Sequence, residues 1–275
     1  MSDRYAVIGN PVAHSQSPVI HAAFARQTGE DIAYDRLLAP LDGFADTARR
    51  FFDGGGRGLN VTVPFKHEAW KLVNSRAGLA ADAEAVNTIK VENGQLAGHN
   101  TDGIGLVRDL EKNLGCSLAS KRVLLMGAGG ATRGVMRPVL ERHPEVLVVV
   151  NRTVEKALSL VEHFRSSGSL AVRGMAASSY EALSGTEFDL VINATSAGLS
   201  SEMPPLPQGL FAPGALAYEM MYGRDTPFLV FAREQGAHVA DGLGMLVEQA
   251  AESFFIWRGV RPVTAPVITA LRETR

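Results

Sequence analysis

Three clusters of polar side chains lie where apolar runs of the chain end. They are Ser15 with Ser17, Thr62 with Lys66, and Asn87 with Asn100 and Asp102. Hydroxyls and amides of this kind can bond a polyhydroxylated ligand, and a lysine beside an aspartate can move a proton. Taken singly, each residue also has a structural interpretation. Ser17 and Asp102 can cap helices, and Lys66 can be a solvated helix residue.

A glycine turn lies near the middle of the chain, at residues 127–133, between the apolar run Lys121–Met126 and a possible helix over residues 134–140. In a strand–turn–helix arrangement, backbone N–H groups and a helix N-terminus can meet a pyrophosphate. Glycine is needed there because a side chain would hold the phosphate away from the turn. Only Gly127 and Gly129 match the general G-x-G-x-x-G/A pattern, and Thr132 stands third. The turn predicts a dinucleotide site.

A second apolar run, Val146–Val150, follows at the spacing of a βαβ unit and ends in Asn151-Arg152-Thr153. A free ribose 2′-hydroxyl would call for Asp or Glu at that strand end. The chain instead carries Arg152 there, with Lys156 further on, which favours a 2′-phosphate and therefore NADP over NAD. Beside a nicotinamide, the polar clusters are suited to alcohol oxidation, because hydride loss must accompany loss of the hydroxyl proton.

The composition bounds the other possibilities. The 275 residues are enough for two domains, and the formal net charge of -2 indicates neither a nucleic-acid nor a membrane surface. Cys116 is the single cysteine, which excludes an intramolecular disulfide and fits a reducing compartment. No apolar run approaches the roughly 20 residues that span a bilayer, and no signal-peptide pattern is evident. We expect a soluble, cytoplasmic protein without a metal site.

The first hundred residues read as an α/β unit that must position the polar clusters. Strands are predicted at Tyr5–Gly9, Ile32–Leu38 and Gly58–Val63, followed by a β-hairpin with an Asn-Gly turn (Val86–Val91 and Gln95–Ala97). Helices are predicted from Ser17-Pro18 to Gly29, near residues 41–52, after Pro64, and after Asp102, with Ser17 as an N-cap.

The second half continues with alternating elements. After Asn151 the pattern predicts a helix and then strands at Leu170–Val172, Phe188–Asn193 and Ala215–Tyr218. The tail is helical over residues 245–257 and 265–271. Its apolar face must be buried, and we expect it to pack back onto the first domain.

The ordered motifs resemble those of the shikimate dehydrogenase family, from Tyr5 to Val260. They are Tyr5–Pro11, His14–Pro18, Asn60–Lys66, Ala85–Thr88, Asn100–Gly103, the glycine turn, Asn151–Thr153, Asn193–Ser196 and Asp241–Val247. The resemblance implies NADP-dependent interconversion of 3-dehydroshikimate and shikimate, a step towards the aromatic amino acids. It also implies a small-molecule substrate and a monomer or homodimer.

The resemblance implies roles for individual residues. Ser15 and Ser17 would bond the substrate carboxylate, with Tyr222 nearby. The ring hydroxyls would be bonded by Thr62, Asn87 and Gln249, and the reacting oxygen would be flanked by Lys66 and Asp102. The cofactor pyrophosphate would be held by Gly127, Ala128, Gly129, Gly130 and Ala131. The 2′-phosphate side would be contacted by Asn151, Arg152, Thr153 and Lys156, and the ribose and nicotinamide side by Thr195, Met220, Gly242 and Met245.

The expected fold is a two-domain α/β protein with the active site in the cleft between domains. Residues 1–102 would form the substrate-binding and catalytic domain, and residues 103–242 a doubly wound, Rossmann-type NADP-binding domain. Residues 243–275 would form C-terminal helices that return to the first domain. Whether Lys66 transfers the proton or mainly polarises the oxygen stays open at this point.

The chain departs from the family pattern at Glu84, where glycine is usual, and at Glu219, where aspartate is commoner. If position 84 ends a helix in a left-handed conformation, glutamate there costs on the order of 1 kcal/mol. A divergent paralogue of lower turnover is therefore one alternative. A quinate or mixed quinate/shikimate dehydrogenase is another, against which Arg152 and residues 61–66 argue. A non-catalytic NADP-dependent sensor is a third, against which the presence of Lys66 and Asp102 argues.

Overall fold

The structure is a computed structural model that describes residues 2–166, 174–195 and 203–274. The chain divides into two compact units, Met1–Gly105 with Leu246–Arg275, and Leu106–Met245. In the described residues, each unit is built on its own six-stranded sheet. No helix in these described ranges is both long enough and apolar enough to span a membrane.

The first unit contains a mixed sheet of strand order β2-β1-β3-β5-β6-β4. The strands are β1 (Asp3–Gly9), β2 (Ile32–Leu38), β3 (Gly56–Val61), β4 (Ser75–Arg76), β5 (Thr88–Glu92) and β6 (Gln95–His99). β1 runs parallel to β2 and β3, while β5 is antiparallel to both β3 and β6. The helices are α1 (Ser17–Thr28), α2 (Phe44–Asp53), α3 (Lys66–Leu72), α4 (Gly78–Ala83) and α5 (Asp102–Arg108), whose residues from Leu106 onwards belong to the second unit.

The second unit contains an all-parallel sheet of order β12-β11-β10-β7-β8-β9. Its strands are β7 (Arg122–Met126), β8 (Val146–Val150), β9 (Met175–Ser178), β10 (Phe188–Asn193), β11 (Phe211–Glu219) and β12 (His238–Asp241). The helices after β7, β8 and β11 are α6 (Gly130–Leu140), α7 (Val154–Ser166) and α8 (Pro227–Glu234). This order is the doubly wound Rossmann arrangement, so the predicted fold class is confirmed. The strand order reverses between β7 and β10, at whose carboxyl ends ligands bind in such sheets.

The tail forms α9 (Leu243–Arg258) and α10 (Ala265–Glu273). The ring of Trp257 packs on that of Tyr5, with centroids 4.7 Å apart, and its Nε1 donates to the carbonyl of Ile89 at 3.0 Å. Arg258 pairs with both Asp3 and Glu30. The prediction that the tail packs back on the first domain is therefore confirmed.

Several predicted elements differ from the structure. The second helix begins at Phe44 rather than near Leu41, and β4, α4, α8 and β12 are not predicted. The missed elements have two to eight residues, and a two-residue strand has no periodicity to detect. The predicted strand Leu170–Val172 lies outside the described residues, while the observed β9 begins at Met175 and lacks β-branched residues.

Glu84 ends α4 in the left-handed conformation, with φ 49° and ψ 36°. An L-residue pays a steric penalty there that glycine does not. The condition set out from the sequence is met, so this glutamate costs about 1 kcal/mol of stability.

Candidate active site

Lys66 and Asp102 form an ion pair in the first unit, with Nζ 2.6 Å from Oδ2. β3 ends at Val61 and α3 begins at Lys66, while α5 begins at Asp102. The Asp102 side chain is only 9% exposed and that of Lys66 is 27% exposed. The carboxylate is therefore largely shielded from water, and the ammonium group remains accessible to a small molecule.

Asn87 holds the second oxygen of Asp102. Its Nδ2 donates to Oδ1 at 2.8 Å, and its own Oδ1 accepts from the Thr101 backbone N–H at 2.9 Å. The same Nδ2 lies 3.4 Å from Oε1 of Gln249 on α9. Four predicted residues, Lys66, Asn87, Asp102 and Gln249, thus lie together, and both oxygens of the carboxylate are fixed in direction.

Ser15 and Ser17 lie side by side, with their hydroxyl oxygens 3.2 Å apart. The structure contradicts the expectation that Ser17 is an N-cap, because α1 already begins at Ser17 and the capping position falls on Gln16 without a side-chain bond. A residue with helical backbone geometry cannot turn its side chain onto the N–H groups of the following turn. The Ser17 hydroxyl, on a buried residue, is therefore not used as a helix cap.

Thr62 lies in the β3–α3 connection and donates its backbone N–H to the Ile8 carbonyl at 3.0 Å. A side chain at Gly9 would meet the Thr62 methyl carbon at 2.4 Å, so this close approach requires glycine. Thr62 therefore lies beside the carboxyl end of β1. The remaining predicted substrate residue, Tyr222, belongs to the second unit and follows β11.

Sequence reasoning missed three supporting residues of the first unit. The Arg36 guanidinium donates to the Ser15 carbonyl at 2.7 and 3.1 Å. The Tyr34 hydroxyl donates to Asn60 Oδ1 at 2.6 Å, and Asn60 Nδ2 donates to Ser253 Oγ at 3.0 Å. Only Asn60 carried a signal, since it opens the Asn60–Lys66 motif. Tyr34 and Arg36 are two residues apart on β2, and neither belongs to a motif recognised in the sequence.

A cavity of about 670 Å³ lies at the carboxyl edge of the second sheet. Ten of the predicted cofactor residues line it: Gly127, Ala128, Gly129, Gly130, Ala131, Asn151, Arg152, Thr153, Lys156 and Thr195. Met220, Gly242 and Met245 are not among the lining residues. Met220 packs against the core cluster that contains Met245, and the Gly242 backbone approaches the Met220 carbonyl so closely that a side chain would clash at 2.2 Å. The cavity also includes Tyr180, whose burial raises its pKa to about 12.

The lining of this cavity fits a phosphorylated dinucleotide. Gly127 has a φ of 102°, which favours glycine, and a Cβ at Gly129 or Gly130 would meet nothing within 4 Å. α6 begins at Gly130 without a side-chain cap, so its first N–H groups can bond an anion. Thr132 donates its hydroxyl to the Gly127 carbonyl at 2.9 Å, which gives the third position of the motif a structural task.

The charge of the cavity also fits a 2′-phosphate. Arg152 and Lys156 line it, and its described lining residues include no carboxylate. Asn151 closes the loop that carries Arg152, because its Nδ2 donates to the Thr153 carbonyl at 2.9 Å. An additional phosphate would therefore meet two cations at the end of β8.

Known proteins are similar to this chain over its whole length. Family models match residues 7–89 (shikimate dehydrogenase substrate binding domain), 109–200 (shikimate / quinate 5-dehydrogenase) and 242–272 (shikimate 5′-dehydrogenase C-terminal domain). A shikimate dehydrogenase (NADP(+)) of Nitrosospira multiformis is 59% identical over 276 residues, which cover 100% of this chain and 98% of that protein. The chain belongs to the shikimate dehydrogenase family. The resemblance seen in the motifs is therefore confirmed.

Solved structures share the fold of this chain. Shikimate 5-dehydrogenase from Thermus thermophilus, in complex with NADP(H) and shikimate, is 33% identical with a TM-score of 0.87, and the match covers 99% of this chain and 100% of that one. An Ael1 enzyme from Pseudomonas putida is 49% identical with a TM-score of 0.91, and 98% of each chain is covered.

Proposed function

We propose that this chain catalyses the reversible, NADPH-dependent reduction of 3-dehydroshikimate to shikimate, a step of the shikimate pathway. The observation that carries the proposal is the Lys66–Asp102 pair, 2.6 Å apart and held by Asn87. The cationic cavity around the glycine turn, in the same chain, supports it. The names of the Nitrosospira multiformis relative and of the Thermus thermophilus complex support the same activity.

The reduction adds a hydride to the ketone carbon and a proton to the carbonyl oxygen. When bound, the reduced nicotinamide supplies the hydride. Lys66 donates a hydrogen bond from Nζ to the carbonyl oxygen and passes it the proton as negative charge develops there. Asp102 accepts from Nζ, which orients the ammonium group and pairs its charge before transfer.

The substrate contacts are proposed to follow the family. Ser15 and Ser17 bond the carboxylate through paired hydroxyls, which their 3.2 Å separation allows. Thr62, Asn87 and Gln249 bond the ring hydroxyls, and Tyr222 contributes on the carboxylate side. Hydroxyl donors leave the carboxylate without a formal counter-charge, so recognition rests on shape and hydrogen-bond number.

Selection of NADP is proposed to rest on Arg152 and Lys156. Arg152 can present two parallel N–H donors to the 2′-phosphate, and Lys156 adds a point charge from the first turn of α7. Met220, Gly242 and Met245 complete the nicotinamide side at the ends of β11 and β12. One chain supplies both sets of residues, so we propose a competent single chain, acting as a monomer or within a homodimer.

Purified protein assayed with shikimate and with quinate, each with NADP and with NAD, tests this function. We expect turnover with shikimate and NADP, and at least about tenfold lower kcat/KM when quinate replaces shikimate. Quinate carries an additional hydroxyl on a saturated ring, for which the proposed contacts provide no partner, and burial of an unpaired hydroxyl costs about 1–3 kcal/mol. Higher kcat/KM with quinate would replace the substrate assignment. NADP binding without turnover of either acid would favour a sensor.

A further inference from the structure

Glu219 is a fully buried carboxylate at the end of β11. It accepts three hydrogen bonds, all from neutral groups. Oε2 accepts from Asn193 Nδ2 at 2.7 Å and from the Thr226 hydroxyl at 3.1 Å, and Oε1 accepts from the Met221 backbone N–H at 3.1 Å. Burial raises the pKa of Glu219, against the lowering effect of these bonds. An ionised carboxylate offers acceptors to all three donors, which an amide cannot do.

The bond to Glu219 sets the direction of the Asn193 amide. Because the carboxylate only accepts, the NH₂ end of Asn193 must face it and the oxygen must face the other way. That oxygen accepts from the Thr195 backbone N–H at 3.1 Å and from the Thr195 hydroxyl at 2.7 Å. Reversal of the amide would turn an NH₂ group towards the Thr195 N–H and break this turn.

The turn that Asn193 shapes is part of the cofactor cavity. Ala194 and Thr195 both line it. They also lie against the glycine turn, because a Cβ at Gly127 would meet the Ala194 backbone and the Thr195 methyl carbon, each at 3.3 Å. Displacement of Thr195 therefore reaches the segment proposed to hold the pyrophosphate.

Glu219 also holds the connection that follows β11. Glu219 accepts from the Met221 N–H at one end of the connection and from the Thr226 hydroxyl at the other end. Thr226 in turn caps α8, because its hydroxyl accepts from the Leu229 N–H at 3.4 Å. The Met221 carbonyl accepts from the Gly242 N–H at 2.9 Å, after β12. Two residues proposed for the nicotinamide and carboxylate sides, Met220 and Tyr222, lie on this connection. The Glu219 carboxylate thus joins the carboxyl end of β10 to the connection after β11, and the Met221 carbonyl joins that connection to the end of β12.

We propose that Glu219 is a positioning residue for hydride transfer, acting through Asn193 and the 220–226 connection rather than by contact with either ligand. The inference rests on the proposed dehydrogenase function. It assigns a task to a position where the chain departs from the family pattern, since the longer glutamate side chain reaches Asn193 and Thr226 together.

The test compares wild type with Glu219→Gln, Glu219→Asp and the double variant Asn193→Asp/Glu219→Gln. Each is measured for kcat, both KM values, the Kd of NADP by fluorescence titration, and Tm. Glu219→Gln keeps the shape but places an NH₂ group against a donor. We expect kcat at least about tenfold lower and Kd for NADP raised several-fold, because misplacement of the reacting geometry costs rate. Glu219→Asp keeps the charge, so it tests the proposal even if Glu219→Gln does not fold. We expect a smaller decrease in kcat and in NADP affinity for this variant.

The double variant exchanges donor and acceptor across the pair. The carboxylate introduced at position 193 can accept from both Thr195 groups and from the amide introduced at position 219, so we expect it to recover at least about fivefold of the lost kcat. Asp189→Asn is the matched control, since it makes the same chemical change at the opposite end of β10, where Asp189 pairs with Arg122 at 3.1 Å. It should lower Tm and leave kcat and Kd unchanged.

The outcomes separate the two proposals. The positioning role would be overturned if the wild type is active and the folded Glu219 variants keep kcat and the Kd of NADP within twofold of the wild-type values, even with a lower Tm. Failure of the double variant to recover activity while Glu219→Gln is impaired would overturn the route through Asn193. A wild type that neither turns over shikimate nor binds NADP would remove the proposed function, and this inference with it.

Discussion

The Nζ of Lys66 lies 2.6 Å from Oδ2 of Asp102, while the other oxygen of that carboxylate is held by Asn87. The two partners begin different helices, α3 and α5, and stand 36 positions apart in the chain. A charge pair whose acceptor is pinned on both oxygens has a defined direction, as general acid–base chemistry needs.

Lys66→Ala should lower kcat by at least about 10²-fold, the scale of a lost general acid–base group. The Kd of NADP should hardly change, because Lys66 belongs to the other unit from the cofactor cavity. Steady-state kinetics with a separate NADP titration check this. Lys71→Ala, an exposed lysine of the same helix, is the control.

Asp102→Asn should impair kcat in the same way, since it removes the charge that orients Lys66. A Lys66→Ala enzyme with near-normal kcat and only a raised KM would make Lys66 a binding residue and refute its role in proton transfer.

Ser15→Ala and Ser17→Ala should each weaken shikimate binding by about 0.5–1.5 kcal/mol, a roughly two- to twelve-fold rise in KM. NADP affinity should be spared. Because Ser17 does not cap α1, its replacement should leave Tm nearly unchanged. A fall in Tm with an unaltered KM would instead make Ser17 a structural residue.

Arg152→Ser should raise the Kd of NADP about 10- to 100-fold, because a charge-assisted hydrogen bond is worth roughly 1.5–3 kcal/mol. NAD offers the guanidinium no phosphate at this position, so its Kd should scarcely move. Lys156→Ala should act in the same direction more weakly, its charge being screened by salt.

Titration calorimetry with both cofactors measures this difference. Arg142→Ser is the control, since Arg142 pairs with Glu111 and is not among the residues that line the cavity. Equal losses for both cofactors would show that Arg152 supports the fold or the adenine.

Glu84→Gly should raise the free energy of unfolding by about 1 kcal/mol relative to Glu84→Ala. Both variants remove the side chain, but only glycine relieves the left-handed backbone at φ 49°. Urea unfolding measures the difference. Equal stabilities for the two variants would mean that the conformation carries no penalty in this chain.

His21 makes the stability of the first unit depend on acid pH. It is buried and stacks on Tyr34, with ring centroids 4.2 Å apart, and burial lowers its pKa to about 3 against the raising effect of Asn60. Between its ordinary pKa of about 6.5 and pH 3, the unfolded chain binds the proton and the folded chain does not. The free energy of unfolding should therefore decrease as the pH is lowered through that window, by about 2 kcal/mol at pH 5.

Comparison with His21→Phe isolates this contribution, because phenylalanine keeps an aromatic ring and has no titratable group. The gap between the two unfolding free energies should change by about 2 kcal/mol between about pH 8 and pH 5. A gap that is constant over this range would show that His21 is not buried as a neutral ring.

Much of the fold was readable from local patterns. The apolar runs at β7 and β8, the glycine turn between them and the cationic strand end at Arg152 predict a dinucleotide-binding βαβ unit, because strand periodicity, turn conformation and helix polarity each depend on neighbouring residues. The motifs also identified the family, and they predict catalytic roles for Lys66 and Asp102. Short elements such as α4 were not predicted. The predicted start of α1 was wrong by one residue, so the prediction that Ser17 is the N-cap was also wrong.

Tertiary structure alone decided which side chains meet. Glu219 and Asn193 lie 26 positions apart and become neighbours because β10 and β11 run parallel with these two residues in register. Asn60 meets Ser253 only because α9 returns to the first sheet across 193 positions. Strand register and helix docking are set by the burial of many apolar side chains at once, so no local pattern of polar residues contains them.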